Sequence, residues 1–116
     1  MIGAAIEVHR LLGPGLLESA YELALEREIL LRGLTVERQR AVFLEYKGVV
    51  LGDAFRIDLL ANDGLLVEIK AAERILPLHE AQLLTYLRLT GKPLGLLINF
   101  NVKVLKEGIR RAVNGL

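Results

Sequence analysis

Along the first dozen residues the apolar positions Ile2, Ala5, Ile6, Val8 and Leu12 recur at helical spacing, with His9 among them. Gly13-Pro14-Gly15 breaks that run. A second helix is expected from about Leu16 to Leu31. There Leu17, Ala20, Tyr21, Ala24, Leu25 and Leu31 return every three or four residues, and Gly33 supplies a stop. From Thr35 the period drops to two. Val42, Leu44 and Tyr46 alternate with Phe43, Glu45 and Lys47, which predicts a strand from Val36 to Lys47, broken near Gln39. After a turn at Lys47-Gly48, a second strand runs from Val49 through Phe55 to Ala61, interrupted at Gly52-Asp53. Asn62-Asp63-Gly64 is a hairpin signal, and Leu65 to Ala71 forms the third strand.

Pro77 suits the first turn of a helix that continues through Leu87 and stops before Gly91-Lys92-Pro93. Gly95 to Phe100 is short and apolar and reads as a buried strand. Lys103 to Val113 reads as an amphipathic helix ended by Asn114-Gly115. The predicted order is ααβββαβα, a single α/β domain over residues 1–116 (an α+β mixed sheet with helices packed on it). If the strands flanking the third helix are parallel, their crossover is expected to be right-handed.

The hairpin carries the chemistry. Alternation puts Phe55, Ile57, Leu59 and Ala61 on one face of the incoming strand and Arg56, Asp58 and Leu60 on the other. On the outgoing strand Leu66, Glu68 and Lys70 share a face. A three-residue loop pairs Ala61 with Leu65, and the continued ladder sets Asp58 opposite Glu68. Two carboxylates then lie about 5 Å apart at Cβ, an unfavourable pairing unless a cation sits between them. A two-residue loop would shift the register by one and lose that pairing. Mg²⁺ or Mn²⁺ accepts such oxygen ligands, and the carbonyl of Ile69 can add a third. Lys70, on the same face as Glu68, can hold a water or stabilise a phosphate. The same alternation also fits a sheet with one wet face and ordinary cross-strand ion pairs, so the hairpin alone leaves both readings open. On the helices, His79, Gln82 and Tyr86 form one stripe, and Glu18, Tyr21, Glu22 and Leu25 another. Polar stripes of this kind line a cleft or merely rim a core.

Composition narrows the choice. With 116 residues, 53% hydrophobic and 25% charged, the chain is one globular domain rather than a disordered one. The absence of cysteine excludes disulfides and thiolate metal sites. His9 and His79 lack a zinc spacing, and no Gly-Lys-Ser/Thr follows Gly13-Pro14-Gly15 to make a phosphate loop. A net charge of +1 argues against a strongly basic, non-specific nucleic-acid binder. Basic residues cluster only locally, at Arg38 and Arg40 and at Lys103, Lys106, Arg110 and Arg111. No apolar run approaches the ~20 residues of a membrane span, and the first residues carry no basic leader, so a cytoplasmic protein without a membrane partner is expected. The high apolar fraction makes a homodimer a reasonable expectation.

Gly15-Leu16-Leu17-Glu18-Ser19-Ala20-Tyr21 reads as G-x-x-E-x-x-Y, and the chain resembles the GxxExxY protein family, placed in the PD-(D/E)XK nuclease superfamily. Arg56-Ile57-Asp58-Leu59-Leu60, Val67-Glu68-Ile69-Lys70-Ala71, Ala81 to Leu87 and Gly95 to Asn101 support it, in order, over nearly the whole chain. The resemblance implies a restriction-endonuclease-like core and metal-dependent phosphodiester cleavage. It implies Asp58 as the metal-binding aspartate, Glu68 and Lys70 as the E-x-K element, Glu18 as the acid of the first core helix, and Gln82 with Tyr86 as the polar pair of the helix that follows. Ile57 stands where the superfamily's name has proline. Two classes of function follow: a Mg²⁺- or Mn²⁺-dependent nuclease acting on DNA or RNA, or an inactive nuclease-fold module that binds nucleic acid or a protein. In a blander variant the acids and Lys70 form only a structural ion pair.

Overall fold

The structure is a computed structural model that describes residues 1–62 and 64–115, with the backbone alone at Asp53 and Ala54. Two helices, α1 (Ile2–Leu12) and α2 (Glu18–Leu31), precede strands β1 (Val36–Tyr46), β2 (Val49–Ala61) and β3 (Leu65–Lys70). Helix α3 (Pro77–Thr90) leads to β4 (Leu94–Asn99), a 3₁₀ turn (Leu105–Gly108) and β5 (Ile109–Val113). The five strands form one mixed sheet in the order β1-β2-β3-β4-β5. Only β3 and β4 are parallel, joined by α3 as the crossover. Among the described residues no helix is long and apolar enough to cross a membrane.

The α1–α2 turn is fixed from the core. Tyr21 is fully buried and stacks on Phe100 with centroids 4.6 Å apart, a contact of about 0.5–1.5 kcal/mol beyond burial. Its hydroxyl donates to the Gly13 carbonyl at 2.6 Å and accepts from the Leu16 N–H at 3.1 Å. His9 is buried on the same side of the sheet, its Nε2 2.7 Å from the Val102 carbonyl oxygen. At α3 the His79 ring accepts the Leu76 N–H at 3.1 Å, closing the first turn behind Pro77.

Two cores sandwich the sheet. Under α1 and α2 lie Leu59, Ala61, Val67, Ile69, Leu96 and Ile98. Under α3 lie Val42, Ile57, Leu66, Leu83, Leu87 and Leu97, with Phe55 packed against them. Alternation had placed Phe55 and Ile57 on one face with Leu59 and Ala61; the structure sends the two pairs to opposite cores. The strand rotates between Ile57 and Leu59. Opposite this step Gln39 adopts φ 56°, and the β1–β2 pairing omits Gln39 and Asp58 while holding its register on either side.

The expected three-residue connection pairs Ala61 with Leu65; Asp63 within it lies outside the described residues. The terminal helix expected over Lys103–Val113 is replaced by the 3₁₀ turn and β5. Pairing with β3 leaves the other edge of β4 unsatisfied, and β5 supplies the missing hydrogen bonds through antiparallel pairs from Ile98↔Ile109 to Leu94↔Val113. A helix there would bury the same apolar residues but leave that edge bare. Gly108 makes the join possible, since a Cβ at this position would run into the Asn99 carbonyl. Gly108→Ala is therefore expected to cost about 1–3 kcal/mol in urea denaturation, with the denaturant slope unchanged.

Candidate metal-dependent active site

Where the strand rotates, side chains take over the work of the backbone ladder. The β2–β3 pairs run Ala61↔Leu65, Leu60↔Leu66 and Leu59↔Val67 and then stop. The next pair would be Asp58 and Glu68. Instead, the Asp58 carboxylate accepts the Ile69 N–H at 2.7 Å, and Glu68 Oε1 accepts the Asp58 N–H at 3.3 Å. The two carboxyl groups lie close enough for each to perturb the other. The predicted register thus brings the two acids together at the point where the ladder ends. Ile69 turns its N–H, rather than its carbonyl, towards Asp58.

Other elements close round the pair. Glu18 and Glu22, one turn apart on α2, border a cleft of ≈ 200 Å³ with Gln39, Asp58 and Ile69. Glu18 is exposed, and its Oε1 accepts the Ala71 N–H at 3.3 Å. Glu22 is buried; it accepts from Gln39 Nε2 at 2.5 Å and from Arg38 Nη1 at 3.1 Å. Gln39 Nε2 also reaches Asp58 Oδ1 at 3.3 Å, bridging the two acids. Beyond β3, the buried Asn99 clamps Ala72 through the Nδ2 donor at 2.9 Å and the Oδ1 acceptor at 3.1 Å, which fixes the chain just after Lys70.

The sequence reading did not single out Gln39 or Arg38 for the site, and it placed Glu22 on a stripe without giving it a role there. The spacing of Glu18 and Glu22 on one helix face was the available signal for Glu22. Gln39 gave none beyond the suspected break, because its role depends on a left-handed φ in mid-strand. On the other side of the pair, Tyr86 is half-buried and stacks on Phe55 at 4.0 Å. Gln82, one turn earlier, makes no hydrogen bond among the described residues.

Electrostatics follow from this crowding. Burial pushes Glu68 up from 4.5 to about 8, and the Asp58 charge pushes the same way, against the opposing Asp58 N–H and Lys70 charge. Asp58 is also raised, chiefly by burial, despite the Ile69 N–H. Burial, then the charges of Glu68 and Asp58, raise Tyr86, so its hydroxyl stays a donor at neutral pH. Near neutrality Glu68 therefore keeps its proton.

The donor set around this proton is all oxygen, which fits a hard divalent cation: a doubly charged ion would replace the proton and relieve the repulsion. Asp58 and Glu68 would hold it, with Glu18 near by. Among the described residues no group of three or more His, Cys, Asp or Glu is gathered as a ligand set. Two carboxylates, with water and phosphate completing the sphere, is the arrangement Mg²⁺ commonly takes.

A family model described as the PD-(D/E)XK nuclease superfamily matches residues 1–112. No curated protein and no solved structure matches the chain.

The raised acid sets a pH dependence for the metal-free protein. Unfolded, Glu68 loses its proton near 4.5; folded, it keeps it to about 8, so the native state binds more protons across that window. Stability from this group is complete below 4.5 and is lost as pH rises through 8. Urea denaturation in EDTA should therefore show falling stability between pH 5 and pH 8.5. Glu68→Gln should flatten the fall, and an unchanged slope in that variant would contradict the assignment.

Proposed function

The chain belongs to the PD-(D/E)XK nuclease superfamily, and from that premise we propose that it is a divalent-metal-dependent nuclease hydrolysing phosphodiester bonds in DNA or RNA. The observation that carries the reading is the carboxyl pair Asp58–Glu68, forced together beside Lys70 where the β2–β3 ladder ends. Structural ion pairs spread unlike charges across a sheet. Here two acidic side chains converge, and an amine follows two residues on.

Bound to Asp58 and Glu68, Mg²⁺ or Mn²⁺ would supply Lewis-acid polarisation of the scissile phosphate and a more acidic water. The chain's own groups do the positioning. Lys70 neutralises part of the charge on Glu68 and would hold a water or a phosphate oxygen. Tyr86, near enough to feel both carboxylate charges, keeps a hydroxyl donor at neutral pH. Gln82, one turn before it, would contact the phosphate strand. Gln39, held by Glu22, orients Asp58 from behind.

The second reading, an inactive nuclease-fold module that binds nucleic acid or protein, draws on one observation: the acids are already satisfied by the N–H groups of Asp58 and Ile69, with no third ligand gathered among the described residues. Incubation with single- and double-stranded DNA and RNA in Mn²⁺ separates the two. Wild type should cleave at least one substrate, EDTA should abolish cleavage, and Lys70→Ala should lower kcat by about 10²–10⁴-fold. Wild type and Lys70→Ala equally inert on all four would sink the hydrolytic reading.

A further inference from the structure

We infer that the substrate is single-stranded nucleic acid, and that the nucleotide beside the scissile phosphate is held in a pocket on the far side of strand β1; this rests on the nuclease reading. The pocket has ≈ 320 Å³ and lies against the outer edge of the sheet. Val42, Ile57, Leu89, Phe43, Arg40 and Lys92 are among the residues that line it. The volume lies in the range of small-ligand sites.

Charge sets its occupant apart from that of the neighbouring cleft. The catalytic cleft is bordered by the carboxylates of Glu18, Glu22 and Asp58. This pocket is lined by no carboxylate among the described residues, and its charged side chains are both cations. The two sites are neighbours along one strand. Gln39 borders the first and Arg40 the second, as consecutive strand residues project to opposite faces of the sheet. A polyanion that meets the acids through a bound cation and passes round β1, the edge of the sheet, would bring a neighbouring phosphate to Arg40. Among the described residues the Arg40 guanidinium has only an exposed pairing with Glu37 at 3.5 Å, easily exchanged for a phosphate.

Phe43 decides between single strand and duplex. The residue is 61% exposed, which is open enough for its ring to take the face of a base. Stacking on an aromatic ring needs an unpaired base, and it tolerates any sequence. As the sheet edge, β1 also turns backbone N–H and C=O groups outwards, where they can meet a base edge. A second copy of the chain is a poorer occupant. An isologous contact sets the same patch against itself, and cations would then face cations.

The test measures binding apart from chemistry. In EDTA, fluorescence anisotropy with a short labelled oligonucleotide should show single strand bound at least about tenfold more tightly than its duplex. Phe43→Ala should weaken single-strand binding by about tenfold, and Phe43→Tyr should retain it. Arg40→Gln should weaken it too and lower the slope of log affinity against log salt by about one. Undetectable single-strand binding, equal affinity for duplex, or indifference to Phe43→Ala overturns the inference. So does a wild-type dimer in sedimentation velocity that Phe43→Ala makes monomeric, which would assign the pocket to a second copy. Intact binding without cleavage in Mn²⁺ would sink the nuclease reading and leave only the single-strand pocket standing. Cleavage unaffected by either variant would do the reverse.

Discussion

Everything at the candidate site follows from one substitution of partners: the Asp58 carboxylate takes the Ile69 N–H that a strand carbonyl would otherwise accept. A backbone ladder cannot stop inside a sheet without leaving donors bare, and a bare buried N–H costs about 1–3 kcal/mol. Asp58 covers one such donor and Glu68 covers the N–H of Asp58 itself. The strands can part at this point because the acids close the break. The space so opened is where the acids from α2 approach. The same break lets Ile57 and Leu59 enter different cores, which anchors the strand on both sides of the site.

Holding two carboxyls together is costly in water and more so when buried, and the proton on Glu68 records that cost. The surrounding groups divide into those that ease the crowding and those that add to it. Lys70 and the backbone donors ease it; the Glu22 charge raises Asp58 further. Arg38 and Gln39 hold the Glu22 carboxylate from the β1 side. The outcome is a site with an excess of negative charge inside a chain of net charge +1, so its attraction for a cation is local.

Most of the architecture could be read from the chain. Periodicity located the three long helices and four of the strands, and the spacing of Ala61 and Leu65 gave the register that brings Asp58 to Glu68. What escaped depends on long-range neighbours. The last segment has a plausible helical pattern, but the edge of β4 recruits it as β5, and nothing local announces an edge in want of a partner. The rotation at Asp58 violates alternation for the sake of a hydrogen bond to a residue on another strand. Gln39 is an ordinary polar strand residue until its backbone is seen to be left-handed. Glu18 and Glu22 were visible as a helical stripe, but their distance from the acids could come only from the packing of α2 over the sheet.

The phenol of Tyr21 turns the spacing of the G-x-x-E-x-x-Y segment into a ruler. One end of that ruler is nailed into the core against Phe100, and the other grips the loop at Gly13 and Leu16. Glu18 is carried at a set mark between them. Each residue added or removed in that interval would swing the carboxylate by about 100° round the helix and off the cleft, although every amino acid in the segment were kept. The sequence distance between glutamate and tyrosine is thus as much a part of the site as the residues themselves.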